Sequence, residues 1–307
     1  MNEAARTDRT MRAMRASSSD PASLASQSIP VPEPGPGELL VEVRGTAVTA
    51  DELTWPESWP AIPCHDLSGV VAAAGEGAGG WRSGDEVYGL VGFDRPGAAA
   101  EYVTAPAADL AAKPSSVDHL QAAAVPLGAL TAWQALHEHA QLASGQHVLV
   151  HGGAGGVGAY AVQLAALAGA RVTATASARN RDFVTGLGAH EVLDYSGTFE
   201  DHVHDVDVVI DLVGGTTTAR SWPVMRSGGI LVAIAEEPDP GHGGRGDVRG
   251  LYFVVRPDGG QLRELAALIG KQQLRPAVSA VFELAALAEA FQAQRGPRPP
   301  GKVVIRV

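Results

Sequence analysis

Residues His151 to Gly158 read His-Gly-Gly-Ala-Gly-Gly-Val-Gly, and no other segment constrains the fold of this chain as tightly. The apolar run of His147 to His151 (HVLVH) predicts a strand immediately before the glycines, and Val157 to Ala168 reads as a helix immediately after them. Strand, loop and helix in that order turn the spacing Gly153-x-Gly155-x-x-Gly158 from a weak pattern into a dinucleotide loop. The first glycine permits the tight turn, and the second lets backbone approach a pyrophosphate. The third lets helix and strand pack closely, while the helix N-terminus offers the positive end of its dipole. Without that setting the run would be an ordinary glycine-rich turn. The candidate cofactor loop is Gly153, Ala154, Gly155, Gly156, Val157 and Gly158.

Strands and helices keep alternating downstream. Arg171–Thr175 predicts the next strand, Asn180–Leu187 a helix stopped by Gly188, and Glu191–Asp194, Val206–Leu212 and Ile230–Ala235 further strands. This alternation means a parallel sheet covered on both faces. After a glycine-rich loop, Pro240–Gly250, a strand is expected over Leu251–Val255 and a helix over Gly259–Ile269. A helix near Leu284–Gln294 and a strand from Lys302 to Val307 close the chain. Upstream the pattern is different. Residues 1–10 carry almost no apolar side chain and read as a disordered tail. Ile29–Gly37 is a Pro/Gly-rich connection, and Leu39–Val43 alternates as a strand. Between Leu67 and Gly89, short apolar runs broken by glycine predict an all-β, partly barrel-like first domain. Helical material then covers Asp118–Ala143, bent at Pro126 and Gly128.

Composition excludes several classes. With 34 acidic against 23 basic residues the net charge is −11, which argues against nucleic acid as a partner. The single cysteine, Cys64, leaves neither a disulfide framework nor a Cys-rich structural zinc site, and fits a reducing, cytoplasmic setting. The longest plainly apolar stretch, Ile230–Ala235, is far below the roughly 20 residues of a membrane helix, so no membrane partner is expected. The first thirty residues hold no signal-peptide core.

The end of the second strand indicates which dinucleotide binds. An NAD site usually places a carboxylate there for the ribose 2′-hydroxyl. Here Thr173 to Arg181 contains none, and the first acid is Asp182. Ser177, Arg179 and Arg181 gather instead, and arginine matches phosphate geometry with two parallel bonds. Either these arginines are solvated first-turn residues of the next helix, or they meet an anion. Cations at a helix N-terminus oppose its dipole, which favours the anion and hence NADPH over NADH.

The chain resembles the medium-chain dehydrogenase/reductase superfamily in its zinc-free quinone oxidoreductase (zeta-crystallin-like) branch, from about Met11 to Val307. The resemblance rests on Pro32–Val41 (PEPGPGELLV), Gly69-Val70-Val71, Gly84–Gly89 (GDEVYG), Pro126–Ala132 (PLGALTA) and the glycine loop running into Ala161–Ala165. Leu187-Gly188-Ala189 and Asp194-Tyr195 complete it. It implies an α/β protein: a mostly β, GroES-like catalytic domain (11–117 and 271–307) clasping a Rossmann, doubly wound NADPH-binding domain (118–270). The active site would lie in the interdomain cleft. The expected assembly is a homo-oligomer, a homodimer in the first place, with a tetramer left open. By the same resemblance Thr131 matches the residue near the nicotinamide carboxamide. Tyr195 matches the one near the 2′-phosphate, Ser177 and Arg181 the phosphate contacts, and Phe253–Val255 the nicotinamide lining.

Two departures stand out. The family's Asn-Pro pair is replaced in Ala47-Val48-Thr49-Ala50-Asp51, where Thr49 retains one hydroxyl donor. The short insertion after Leu53 carries Trp55 and Trp59, which either stack on a planar substrate or pack the domain surface.

His65-Asp66 falls where zinc-dependent relatives carry a His-Glu pair. Catalytic zinc takes about three protein ligands, yet Gly45–Val48 lacks the early cysteine. Cys64 and His65, if extended, point to opposite faces, so no metal is expected. His137, His139, His202 and His204 read as surface residues, and Gly-x-Ser-x-Gly is missing. The expected chemistry is hydride transfer from NADPH to a small-molecule acceptor activated by itself: a quinone, or an α,β-unsaturated carbonyl such as an enoyl thioester. The alternative is a non-catalytic, crystallin-like NADPH-binding protein.

Overall fold

The computed structural model describes residues 9–239, 247–296 and 299–307. The chain divides into two compact units, Met1–Leu127 with Arg256–Val307, and Gly128–Val255.

The first unit begins with a hairpin of β1 (Thr10–Arg15) and β2 (Ala25–Pro30), paired antiparallel from Thr10↔Pro30 to Arg15↔Ala25. The tail reading therefore ends too late, because Thr10 is already in a strand; residues 1–8 lie outside the described residues. The hairpin owes its order to remote partners. Met11 and Ala13 bury against Ala100, and Arg12 pairs with Glu101 at 2.8 Å.

Next come β3 (Glu38–Val48), β4 (Asp66–Ala74), β5 (Glu86–Leu90), β6 (Tyr102–Pro106) and β7 (Leu110–Ala112). Helices α1 (His119–Ala123) and α2 (Pro126–Trp133) follow, with a π-helical turn over Gln134–His139, so the expected long helix is broken at Pro126. The second unit holds β8 (His147–His151), α3 (Gly158–Leu167), β9 (Arg171–Ala176), α4 (Arg181–Gly186) and β10 (Glu191–Asp194). It continues through β11 (Val206–Asp211), α5 (Thr216–Ser221), β12 (Met225–Ala233) and β13 (Arg249–Tyr252). The chain then returns to the first unit with α6 (Gly259–Gly270), β14 (Val278–Glu283), α7 (Leu287–Arg295) and β15 (Lys302–Arg306).

In the first unit the large sheet runs β14-β15-β3-β4-β5-β7, with β6 also on β3. The long strand β3 is its spine: β6 pairs along Glu38–Glu42 and β15 along Gly45–Val48. Leu39, Val41, Leu67, Val71, Val87 and Val103 form the core between these strands. Here α1 packs through Ala123 and Ala124 on Ala47 and Val304, while Tyr88 of β5 donates its hydroxyl to the Leu262 carbonyl of α6 at 2.5 Å. These contacts put α1 and α6 with the β-rich unit, which corrects the expectation that 118–270 belongs wholly to the nucleotide domain.

The second unit is a single parallel sheet in the order β10-β9-β8-β11-β12-β13, the doubly wound arrangement. Its central strands are buried along continuous runs, Val148–Val150 in β8 and all of Val206–Asp211 in β11, as helices on both faces require. The last strand ends at Tyr252, so Phe253, Val254 and Val255 lie beyond it and not within the strand expected at Leu251–Val255. Of the loop expected at Pro240–Gly250, residues 240–246 lie outside the described residues.

Candidate active site

The parallel strands β8, β9 and β10 end on one edge of the second unit, where Ala176 pairs in register with Asp194. The chain leaves β8 at Gly152, whose φ of 76° lies in the left-handed region that glycine enters without strain. The tight turn thus rests on Gly152, one residue before the glycine to which it was assigned. Gly152 donates to Thr175 Oγ1 at 3.2 Å, and Gly153 to the Thr175 carbonyl at 2.9 Å. A Cβ at Gly158 would lie 2.1 Å from the Gly152 carbonyl oxygen, so the protein's own backbone requires that glycine. A Cβ at Gly155 would meet nothing but the Gly152 oxygen, at 3.2 Å. The protein's own backbone thus crowds Gly155 far less than Gly158, and its open face fits a pyrophosphate lying against the loop.

His151 anchors the loop from beneath, a role its sequence does not reveal. Ser221 gives its proton to the Thr217 carbonyl at 2.7 Å, so its oxygen accepts from His151 Nε2 at 2.9 Å. Nδ1 then faces Thr175 Oγ1 at 3.2 Å, and the ring packs edge-on to Phe199. Burial pushes the His151 pKa down to about 4, so the ring is neutral near pH 7.

Ser177, Arg179, Arg181 and Tyr195 all follow the strand ends β9 and β10. The Ser177 hydroxyl is buried and has no hydrogen-bond partner, an orphan that a phosphate oxygen would satisfy. Arg179 is exposed, and Arg181 spends one guanidinium nitrogen on the Val192 carbonyl at 2.5 Å. Tyr195 is 63% exposed, with its N–H on the Ala176 carbonyl. The structure adds one group that sequence reading missed. Asp194 accepts from Ala178 N at 3.2 Å, so a carboxylate does stand at the end of β9, contributed by the neighbouring strand. Thr131 is buried in α2; Phe253 is buried with its ring 4.4 Å from that of His139, and Val255 is buried beside the 61% exposed Val254. Together, the bare face of Gly155, the orphan Ser177 hydroxyl and the exposed arginines fit a phosphorylated dinucleotide.

In the first unit a buried polar cluster surrounds Thr49. Glu52 receives Thr49 N on one carboxylate oxygen at 2.8 Å and Cys64 N on the other. This grip holds Cys64 at φ 69°, a left-handed conformation that costs a non-glycine residue about 1–3 kcal/mol. Cys64 is therefore not on an extended strand, and the opposite-faces argument does not describe it. Lys302, at the start of β15, donates to Thr49 Oγ1 at 3.1 Å and forms an ion pair with Asp66 Oδ2 at 2.8 Å. Asp66 Oδ1 in turn accepts from Leu127 N at 2.7 Å. Lys302 and Asp66 are both buried, and Thr49 is half-buried. Burial pushes the Glu52 pKa up to about 7 against the opposing pull of its two N–H donors and Lys302. Beside this cluster, Trp55 donates its ring N–H to Asp51 at 3.2 Å and packs edge-on to Phe93 at 5.2 Å, with His65 against Phe93 at 5.1 Å. Trp59 is 37% exposed. Ser68, His119 and Glu86 line up at 2.8 and 3.2 Å, but Ser68 is fully buried and serves as a bridge between β4 and α1, closed to any substrate.

Comparison with known proteins places this architecture. Residues 35–115 match the alcohol dehydrogenase GroES-like domain, and residues 187–305 the family described as zinc-binding dehydrogenase. A probable zinc-binding oxidoreductase, mitochondrial, of Arthroderma benhamiae is 32% identical, over 92% of this chain and 93% of its own. The NADPH-dependent alkenal/one oxidoreductase, chloroplastic, of Arabidopsis thaliana is 33% identical over 80% of this chain and 64% of its own. The solved quinone oxidoreductase from Coxiella burnetii superposes with a TM-score of 0.89 at 30% identity, covering 97% of this chain and 100% of that one. The chain belongs to the quinone oxidoreductase family of medium-chain dehydrogenases/reductases. As a family member it is an oxidoreductase enzyme that uses a pyridine nucleotide, built from a GroES-like and a Rossmann-like domain. Among the described residues, no helix is long and apolar enough to cross a membrane.

Some of these family names carry zinc, and the donors present do not fit one. No three His, Cys, Asp or Glu side chains among the described residues are grouped to hold a metal ion. The His65 ring nitrogen Nδ1 faces the Val91 carbonyl at 3.1 Å, Asp66 is committed to Lys302, and burial pushes the Cys64 thiol up, away from the thiolate a metal needs.

Proposed function

We propose that this oxidoreductase uses NADPH, without zinc, to reduce a quinone or an α,β-unsaturated carbonyl compound. The observation that carries the reading is the polar inventory around Thr49. It supplies one hydroxyl donor and, among the described residues, no trio of metal ligands, which suits acceptors that are activated on their own. When bound, the reduced nicotinamide supplies a hydride. The glycine loop holds the pyrophosphate against the N-terminus of α3, and Ser177, Arg179 and Arg181 with Tyr195 hold the 2′-phosphate. Thr131, Phe253 and Val255 are the residues assigned to the nicotinamide side. Thr49 donates to the acceptor oxygen as it gains negative charge, and Trp55, Phe93 and His65 offer a planar acceptor an aromatic face. The name of the Arabidopsis relative supports both the cofactor and the acceptor class. The reading takes the protein as a cytoplasmic homodimer.

The test is to incubate the protein with NADPH and a panel of quinones and enones while following cofactor absorbance. Turnover of an activated acceptor is expected, and binding of NADPH without turnover of any acceptor would sink the proposal. Cofactor choice has its own check. The double variant Arg179→Ala, Arg181→Ala is expected to weaken NADPH by about tenfold or more per lost charge-assisted contact, with NADH far less affected. Equal weakening of both in titrations would show that the 2′-phosphate is not held there. Trp55→Ala is expected to raise KM for bulky planar acceptors and leave small ones nearly unchanged; uniform kinetics across the panel would remove Trp55 from the substrate site.

A further inference from the structure

We propose that Lys302 is a positioning residue for Thr49, fixing its hydroxyl as a hydrogen-bond donor to the acceptor oxygen. The inference rests on the reading of Thr49 as the donor to the acceptor oxygen. Lys302 Nζ stands 3.1 Å from Thr49 Oγ1 and 2.8 Å from Asp66 Oδ2. An ammonium only donates, so Thr49 must accept on one lone pair. Its single proton is then directed away from the cluster. The main chain of Thr49 is held independently, by its N–H on Glu52 at 2.8 Å. Backbone and hydroxyl are thus held by two different side chains, and the hydroxyl proton is kept off the direction of Lys302.

The same contact strengthens the donor. A hydrogen bond from an ionised group is roughly twice as strong as a neutral one, and chained bonds polarise one another. A hydroxyl whose oxygen accepts from an ammonium gives up its own hydrogen more readily. Stability alone gives no account of the arrangement, since a buried ion pair is often no better than an apolar filling of the same volume. Lys302 and Asp66 are 3% and 0% exposed, yet the ammonium reaches out to the half-buried Thr49. Asp66 holds the ammonium in place and is itself fixed by Leu127 N.

The experiment is a mutant cycle read with NADPH and a quinone that the parent turns over. Lys302→Met alone would leave the Asp66 charge buried and unpaired, so the working variant is Lys302→Met with Asp66→Asn. This variant keeps an acceptor for Leu127 N and removes both charges. Thermal unfolding verifies that it folds, and fluorescence titration verifies that its Kd for NADPH is unchanged. Thr49→Val is expected to lower kcat by about tenfold, the scale of a lost hydroxyl donor. The Lys302→Met, Asp66→Asn variant is expected to lose a similar factor in kcat with KM little changed. Combining it with Thr49→Val is expected to cost less than about twofold more, since residues acting as one unit are not additive. Parental kcat in Lys302→Met, Asp66→Asn beside a slowed Thr49→Val would overturn the role of Lys302, as would full multiplication of the two losses. Parental kcat in Thr49→Val would instead overturn the reading of Thr49 itself.

Discussion

Gly158→Ala is expected to destabilise the nucleotide-binding unit, whereas Gly155→Ala is expected to leave it folded and to abolish cofactor binding. The two glycines share one motif but answer to different neighbours. At Gly158 the new methyl would stand 2.1 Å from the Gly152 carbonyl oxygen and 2.9 Å from the Gly153 Cα, both backbone atoms that cannot swing aside. Overpacking of this kind costs about 3 kcal/mol or more when backbone must move. At Gly155 the methyl meets the Gly152 oxygen alone, at 3.2 Å, and otherwise occupies open space. Folding stability should therefore stay within about 1 kcal/mol of the parent. Binding should not survive, because the methyl takes the place of the approaching pyrophosphate. If the pyrophosphate lies on this loop, NADPH at 100 times its Kd should stabilise the parent by about 2.7 kcal/mol, and Gly155→Ala should lose that increment. Urea unfolding with and without NADPH measures both quantities. Full NADPH stabilisation of Gly155→Ala would mean that the pyrophosphate does not lie on this loop.

Two buried groups should impose opposite pH dependence on the two units, each by about 3 kcal/mol at roughly 1.4 kcal/mol per pKa unit. Burial lowers the His151 pKa from 6.5 to about 4, so the folded state resists a proton that the unfolded chain accepts. Its contribution is intact above pH 6.5 and is lost as pH falls towards 4. Burial raises the Glu52 pKa from 4.5 to about 7, so the folded state resists losing its proton. Its contribution is intact below pH 4.5 and is lost as pH rises to 7. Between these limits the two slopes oppose each other. Glu52→Gln removes one of them: relative to the parent, its stability should improve by about 3 kcal/mol from pH 4.5 to pH 7, whatever fixed cost the amide brings. His151→Gln should show the mirror image, improving relative to the parent as pH falls from 6.5 to 4. Parallel pH profiles for parent and Glu52→Gln would show that Glu52 is not held in a proton-retaining environment.

Much of the nucleotide unit was legible because its rules are local. β8 and β10 fall on the residues expected, His147–His151 and Glu191–Asp194, since short buried runs bounded by turn residues carry their own signal. The hairpin of β1 and β2 was not legible: Arg12 is ordered by Glu101, and nothing near Arg12 announces it. Strand β14 carries no local signal for the same reason. Its residues are only half-buried or exposed, and its pairing with β15 defines it.

By itself the sequence determined the strand–loop–helix around Gly153, Gly155 and Gly158, the parallel sheet that follows, and the arginines after β9. All of these are properties of residues within one or two turns of each other, where steric and periodic rules act. Tertiary structure alone decided what surrounds the candidate site residues. It brought Asp194 to Ala178 through the register of β10 on β9, gave Cys64 a left-handed backbone through the grip of Glu52, and set Lys302 on Thr49 across 253 residues of chain. Electrostatics and hydrogen bonding depend on distance in space, and distance in space between remote strand ends is set by sheet pairing, which no local pattern encodes.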